Sequence, residues 1–196
     1  MIIGLDLDNT IVCYDRSFHA LAVARCGMPA AVPAGKTAVR QFLREAGREV
    51  EWTELQGVAY GGAMGRAEPF AGALDFVREA LRRGRTLKIV SHRTIHPIIG
   101  DPTDLHASAT DWLRREGFVG NGGLSESDVF FETSKEAKLD RITSQQCDVF
   151  LDDLPEILNA DRFPASCQGW LFNPVGSDAG FPRMVGDWNE FALRVL

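Results

Sequence analysis

The chain has 196 residues, 45% hydrophobic and 24% charged, which is enough for one good core and a small accessory domain. Twenty-one basic residues against 27 acidic ones give a net charge of −6, with no basic run and no basic–aromatic interleaving, so a nucleic acid polymer is excluded as the expected partner. No basic n-region with an apolar h-region precedes the first strand, and no run of about 18 apolar residues occurs, so neither export nor a membrane partner is expected and the expected compartment is the cytoplasm. Cys13, Cys26, Cys147 and Cys167 form no C-x-x-C pair and have no His at zinc-site spacing, which reads as four reduced, mostly buried thiols.

In chain order, Ile2-Ile3-Gly4-Leu5 reads as a strand covered on both faces, ending in the polar stretch Asp6-Leu7-Asp8-Asn9-Thr10. Between Tyr14 and Glu68 the apolar positions fall at helical spacing in three groups: Phe18, Leu21, Ala22; Val39, Phe42, Leu43, Ala46; and Trp52, Leu55, Val58. This predicts three short helices, and Gly57, Gly61, Gly62 and Gly65 near their exit suggest a lid on a hinge. Phe70, Leu74, Val77 and Leu81 predict an amphipathic helix closed by Gly84, followed by a strand over Thr86–Val90 that ends in Ser91-His92-Arg93-Thr94. Leu105, Ala109, Trp112 and Leu113 mark a helix before Gly117, and Val129-Phe130-Phe131 a strand. Thr133 with Glu136 makes a capping box for a helix carrying Ala137, Leu139 and Ile142. Asp148–Leu151 is a strand that runs into Asp152-Asp153, Gly169–Phe172 is a fifth strand, and a terminal helix covers Trp188–Leu196.

Alternating strands and helices predict an α/β fold, a three-layer Rossmann-like parallel sheet. Its ligands are expected beyond the carboxyl ends of the strands. The predicted division is a core of residues 1–13 and 69–196 and a small all-helical cap, residues 14–68, inserted after the first strand. Asp6/Asp8, Ser91 and Asp152/Asp153 each follow an apolar strand, so three strand ends far apart in sequence converge on one crevice. Two carboxylates as close as Asp6 and Asp8 need a cation, and oxygen ligands at this spacing suit Mg²⁺. A carboxylate neutralised in that way can attack phosphorus while its neighbour handles protons. A cation should complete the site, and Lys135 is preferred to Lys138 because a positive charge in the first turn of a helix opposes the dipole and calls for a functional reason.

Asp-Leu-Asp-Asn-Thr resembles the first motif of the haloacid dehalogenase-like (HAD) superfamily. Ser91 after Lys88-Ile89-Val90, then Lys135, then Phe150-Leu151-Asp152-Asp153 follow in that superfamily's motif order. The insert is similar in position to its helical type-1 cap. The resemblance implies a phosphomonoester hydrolase in which Asp6 is the nucleophile that becomes an aspartyl-phosphate and Asp8 is the acid–base. It also implies that Ser91 and Lys135 bind the phosphoryl group, and that Mg²⁺ is held by Asp6, the backbone carbonyl of Asp8, and Asp152 and Asp153. The second aspartate, Asp8, is the residue that the superfamily's dehalogenases lack. Asp153 has a competing role, since Asp153-x-x-Glu156 has the pattern of a helix cap. His92, His96 and His106 read as substrate contacts or solvated side chains, and Arg93 either as a clamp for a second anionic group or as the partner of a neighbouring carboxylate.

The expected substrate is a small soluble phosphorylated metabolite, because a helical lid that closes over the phosphate leaves no room for a protein chain. A HAD-type phosphotransferase would share every motif, and a non-catalytic binding module could keep the fold. The D-x-D of sugar-nucleotide glycosyltransferases does not predict a distant lysine and aspartate pair.

Overall fold

A computed structural model describes residues 1–176 and 180–196. They form two compact units, one of Met1–Val12, Pro69–Arg93 and Leu113–Leu196, the other of Cys13–Glu68 and Thr94–Trp112.

The first unit is an α/β sheet. Its six strands lie in the order β5 (Val129–Glu132), β4 (Thr86–His92), β1 (Ile2–Leu5), β6 (Val149–Asp152), β7 (Gln168–Phe172) and β8 (Met184–Val185), and every pair is parallel. The central strand, β1, is short and almost wholly apolar because both of its faces are covered. Gly4 is there for space: a Cβ would lie 2.4 Å from a ring carbon of Phe150 and 2.9 Å from Cys147 Sγ. Side chains alternate across each strand, so the two faces can be read from their neighbours. On one face Val90, Phe150 and Leu171 join Ile142 of α6 (Lys135–Ser144) and Leu158 of α7 (Pro155–Leu158) in a buried cluster that includes Cys147 and Cys167. On the other, Trp170 and Phe172 meet an aromatic group made by Phe70, Phe76 of α4 (Ala73–Arg82), and Trp188 and Phe191 of α8 (Trp188–Val195). This is the predicted three-layer Rossmann-like arrangement, with β8 added beyond the last predicted strand. The buried stripe of α4 is Ala73, Phe76, Val77 and Ala80, whereas Leu74 and Leu81 of the predicted stripe are only partly covered.

The second unit holds α1 (Asp15–Cys26), α2 (Lys36–Glu45) and α3 (Glu49–Tyr60). Phe18 stacks on Trp52 with ring centroids 5.1 Å apart, and Tyr14 meets Tyr60 edge-on at 4.9 Å, over buried Val39, Leu43 and Leu55. This unit also takes in Thr94–Trp112, which the sequence reading placed in the α/β core. Gly57 of α3 and Gly61 just after it explain why. A Cβ on Gly57 would lie 2.8 Å from Pro97 Cβ and 3.0 Å from the Ile99 carbonyl oxygen, and one on Gly61 would lie 3.2 Å from Thr103 and Leu105. They are contact glycines for the Thr94–Trp112 segment, and the Trp112 indole N–H, which donates to the Ala67 carbonyl at 2.9 Å, pins its far end. A short ribbon of β2 (Val12–Cys13) and β3 (Glu68–Pro69) carries the chain out of the α/β unit and back. Among the described residues no helix is long and apolar enough to cross a membrane.

Candidate active site

The sheet reverses its direction of winding at β1, which has β4 on one side and β6 on the other, and the crevice beyond the strand ends at such a switch is where ligands bind in open α/β sheets. Register places the polar residues there. Leu5 is level with Ile89 and with Leu151, so Asp6, Ser91 and Asp152 all emerge at the carboxyl edge, and the Asp6 amide donates to the Leu151 carbonyl at 2.9 Å.

Asp6 is 4% exposed and Asp152 is fully buried. Between them lies Lys138, 1% exposed, whose ammonium donates to Asp6 Oδ1 at 2.6 Å and to Asp152 Oδ2 at 2.7 Å. The second oxygen of Asp6 accepts from the buried Thr10 hydroxyl at 3.1 Å, and the second oxygen of Asp152 accepts from the Leu154 amide at 2.9 Å. Thr10 can reach back because the chain turns sharply after Asp8. Asn9 has a φ of 61°, a left-handed conformation that Asn tolerates better than most residues, and the Ile11 and Val12 amides both return to the Leu7 carbonyl. Ligand oxygens of Asp6, Asp152 and Asp153 all lie within 4.8 Å of one another. Burial, reinforced by Asp152 and Asp8 and only partly offset by Lys138, pushes the Asp6 carboxyl up to about 7. Burial alone would lower the Lys138 ammonium, but its two carboxylates outweigh that and hold it above its ordinary value.

The lysine that the structure brings to Asp6 and Asp152 is Lys138 and not Lys135, and the difference has a physical origin. The helix is capped by Ser134, whose hydroxyl accepts from the Ala137 amide at 3.1 Å, and not by Thr133. Lys135 thus begins the helix on its outer side and pairs with Glu156 at 3.0 Å, with 45% of its side chain exposed. Its cost against the dipole is at most about 1 kcal/mol, too little to demand a functional reason. Lys138 falls in the buried stripe with Leu139 and Ile142. A lysine interrupting an apolar stripe was the signal available in the sequence.

The N-cap residue of α7 is Leu154, one position after Asp153. Ser91 is 1% exposed and its hydroxyl is buried with no hydrogen-bond partner. Asp8 is paired with Arg93, whose Nη2 donates to Asp8 Oδ1. Of the two readings open for Arg93, the carboxylate partner is the one formed. His92 is half-buried, and burial, followed by the positive charge of Lys138, lowers it from its ordinary value. Nδ1 of His96 lies 3.2 Å from the Thr103 carbonyl oxygen, and among the described residues no metal-capable group includes a histidine. All four cysteines are free thiols, and burial pushes Cys147 up to about 11 and Cys167 up to about 12.

No family sequence model matches the chain, and no curated protein matches it in sequence. Solved structures do. A HAD family hydrolase from Deinococcus radiodurans with bound phosphate and sodium superposes with a TM-score of 0.60 at 15% identity, over 97% of this chain and 92% of that one. The HAD-hydrolase YfnB from Bacillus subtilis, bound to magnesium, gives 0.59 at 13% identity, over 98% and 97%. CbbY from Rhodobacter sphaeroides in complex with phosphate gives 0.52 at 17% identity, over 97% and 95%. Sheet order, parallel register and likeness over nearly the full length agree: the chain has the fold of the HAD-superfamily hydrolases.

Proposed function

We propose that the protein is a Mg²⁺-dependent phosphomonoester hydrolase of the HAD type that acts on a small phosphorylated metabolite through an aspartyl-phosphate on Asp6. One observation carries the reading: three carboxylates with ligand atoms within 4.8 Å of one another share a strand-end crevice with a buried lysine bonded to two of them. A buried cluster of that kind is expensive, and stability alone does not call for it.

The donors fit a hard dication. They are all oxygen, and Asp6, Asp8, Asp152 and Asp153 against Lys138 and Arg93 leave a formal excess of two negative charges. Asp6, Asp152 and Asp153, with the backbone carbonyl of Asp8, would hold the ion, which would shield the phosphoryl oxygens from the carboxylates and polarise the phosphorus. Magnesium in one fold relative and phosphate in two others accord with this assignment.

The chain's own groups supply the rest. Lys138 and Thr10 fix the two oxygens of Asp6, so that the carboxylate is oriented before substrate arrives. One Asp6 oxygen attacks phosphorus, and the ester oxygen departs with a proton from Asp8. Water then attacks the same phosphorus as Asp8 takes a proton from that water, the Asp6–phosphorus bond breaks, and phosphate leaves with Asp6 and protonated Asp8 restored. Ser91 is buried with its hydroxyl unpaired, and a phosphoryl oxygen would satisfy it. Lys138 has a third N–H that neither carboxylate uses, and it too can be given to the phosphoryl group.

The test is a screen of phosphorylated metabolites with Mg²⁺, read as released phosphate. Release is expected to stop in excess EDTA, return with Mg²⁺, and fall by about 10⁴-fold or more in Asp6→Asn. No release from any metabolite, or wild-type turnover by a folded Asp6→Asn protein, would overturn the proposal.

A further inference from the structure

Arg93 is the second buried cation of the α/β unit, and the chemistry above gives it no task. Its side chain is 2% exposed, and its backbone amide donates to the Glu132 carbonyl at 2.8 Å, which ties the end of β4 to β5. Glu132 is itself held, since its carboxylate accepts from Arg141 Nε at 2.7 Å and the Arg141 guanidinium lies 4.6 Å from the Phe130 ring centroid. The guanidinium therefore comes from a fixed strand end and donates to Asp8 Oδ1.

Asp8 is in a different position. It sits in the turn between Leu7 and Val12, outside the sheet strands, its backbone bridges to Val12, and its side chain is 19% exposed. Proton transfer to a leaving oxygen requires a carboxyl held to within about 0.5 Å and 10–20°. A planar guanidinium on a packed stem gives that restraint where a loop cannot. An apolar side chain of similar volume would fill the space as well without burying a charge, so packing does not account for an arginine.

We propose that Arg93 is a positioning residue that holds the Asp8 carboxyl on the line of proton transfer. The proposal rests on the hydrolase reading and makes a claim that reading does not: loss of Arg93 should be felt according to how much the leaving group needs a proton. In the first step the P–O ester bond breaks, the electron pair stays on the departing oxygen, and the Asp8 proton goes to it. A nitrophenolate leaves readily without that proton, whereas an alkoxide does not.

The experiment measures kcat/KM, with saturating Mg²⁺, for p-nitrophenyl phosphate and for a simple alkyl phosphate in wild type, Arg93→Met, Arg93→Lys and Asp8→Asn, together with inhibition by inorganic phosphate. Expected for Arg93→Met is a loss of about 10–100-fold on the alkyl ester, a change within about threefold on the nitrophenyl ester, and unchanged inhibition by phosphate. Arg93→Lys, which keeps the charge and loses the fork, should recover part of the loss and stands in if the methionine variant does not fold. In the Asp8→Asn background Arg93→Met should cost nothing further, as expected of two groups that act as one. Equal losses on both esters, weaker inhibition by phosphate, or full additivity with Asp8→Asn would overturn the assignment while wild-type turnover leaves the hydrolase reading standing. A wild-type protein that hydrolyses neither ester would remove both.

Discussion

The two units treat charge in opposite ways. Among the described residues the α/β unit buries Asp6, Asp152, Lys138 and Arg93 along with the hydroxyls of Thr10 and Ser91, while the helical unit buries only Ser17, whose hydroxyl donates to the Tyr14 carbonyl, and no acidic or basic side chain. Its ion pairs, Arg44 with Glu49, Arg48 with Glu51 and Arg16 with Glu68, are all at least partly in water. Surface pairs of this kind contribute little, whereas each ion taken out of water costs several kcal/mol before any partner repays it. Such a cost, concentrated at one edge of one sheet, marks the candidate site, and the helical unit shows how the same chain places its charges where none is buried.

The two lysines of α6 put that contrast to its hardest test. Lys138→Met leaves two buried carboxylates without their shared cation and should destabilise the metal-free protein by about 3–5 kcal/mol at neutral pH, read by denaturant unfolding. Lys135→Met, one turn away and exposed, should change stability by no more than about 0.5 kcal/mol. Equal effects would erase the distinction between the two positions.

A second test uses pH. Burial pushes the Asp6 carboxyl up to about 7 in the folded chain from its ordinary value of 3.8, so the unfolded chain releases its proton first as pH rises. The contribution of Asp6 is therefore fully present below about pH 4 and lost as pH climbs to about 7, and the Tm of the metal-free protein should fall across that window. Asp6→Asn should flatten the decline and saturating Mg²⁺ should oppose it. A Tm that rises with pH over the window in wild type, and does so equally in Asp6→Asn, would show that another group dominates.

Smaller effects belong to the helical unit. Gly57→Ala forces a methyl against Pro97 and the Ile99 carbonyl, and should cost about 1–3 kcal/mol despite the better helix propensity of alanine. Unchanged stability would mean that the Thr94–Trp112 segment yields easily. Arg44→Ala, at an exposed surface pair, should leave the Tm unmoved.

What could be read from the sequence follows the same division. Periodicity located the sheet strands and helices because each apolar run is bounded by a glycine or a polar strand end. Asp6, Ser91 and Asp152 could be placed at one edge because each directly follows a buried strand. β8, only two residues long, is too short for any periodic signal, and α7 is a single turn. The cap residue of α6 is Ser134, one position later than the capping box suggests, and the lysine beside Asp6 and Asp152 is Lys138, which the first-turn argument passes over because it lies in the buried stripe. The partnership of Asp8 with Arg93 spans 85 positions and depends on how β4 ends against β5, which no local pattern encodes. The place of Thr94–Trp112 against α3 was hidden for a related reason. A glycine that loosens a chain and one that admits a neighbour look alike until the neighbour is found.

The most direct test of the central claim is to look for the phosphoryl group on Asp6. Asp8→Asn protein mixed with p-nitrophenyl phosphate and Mg²⁺, quenched in acid and digested, should yield the N-terminal peptide carrying one phosphoryl group on Asp6, and the same peptide should be unmodified when Asp6→Asn is added to the background. Steady release of phosphate by a folded Asp6→Asn protein at the wild-type rate would contradict the account.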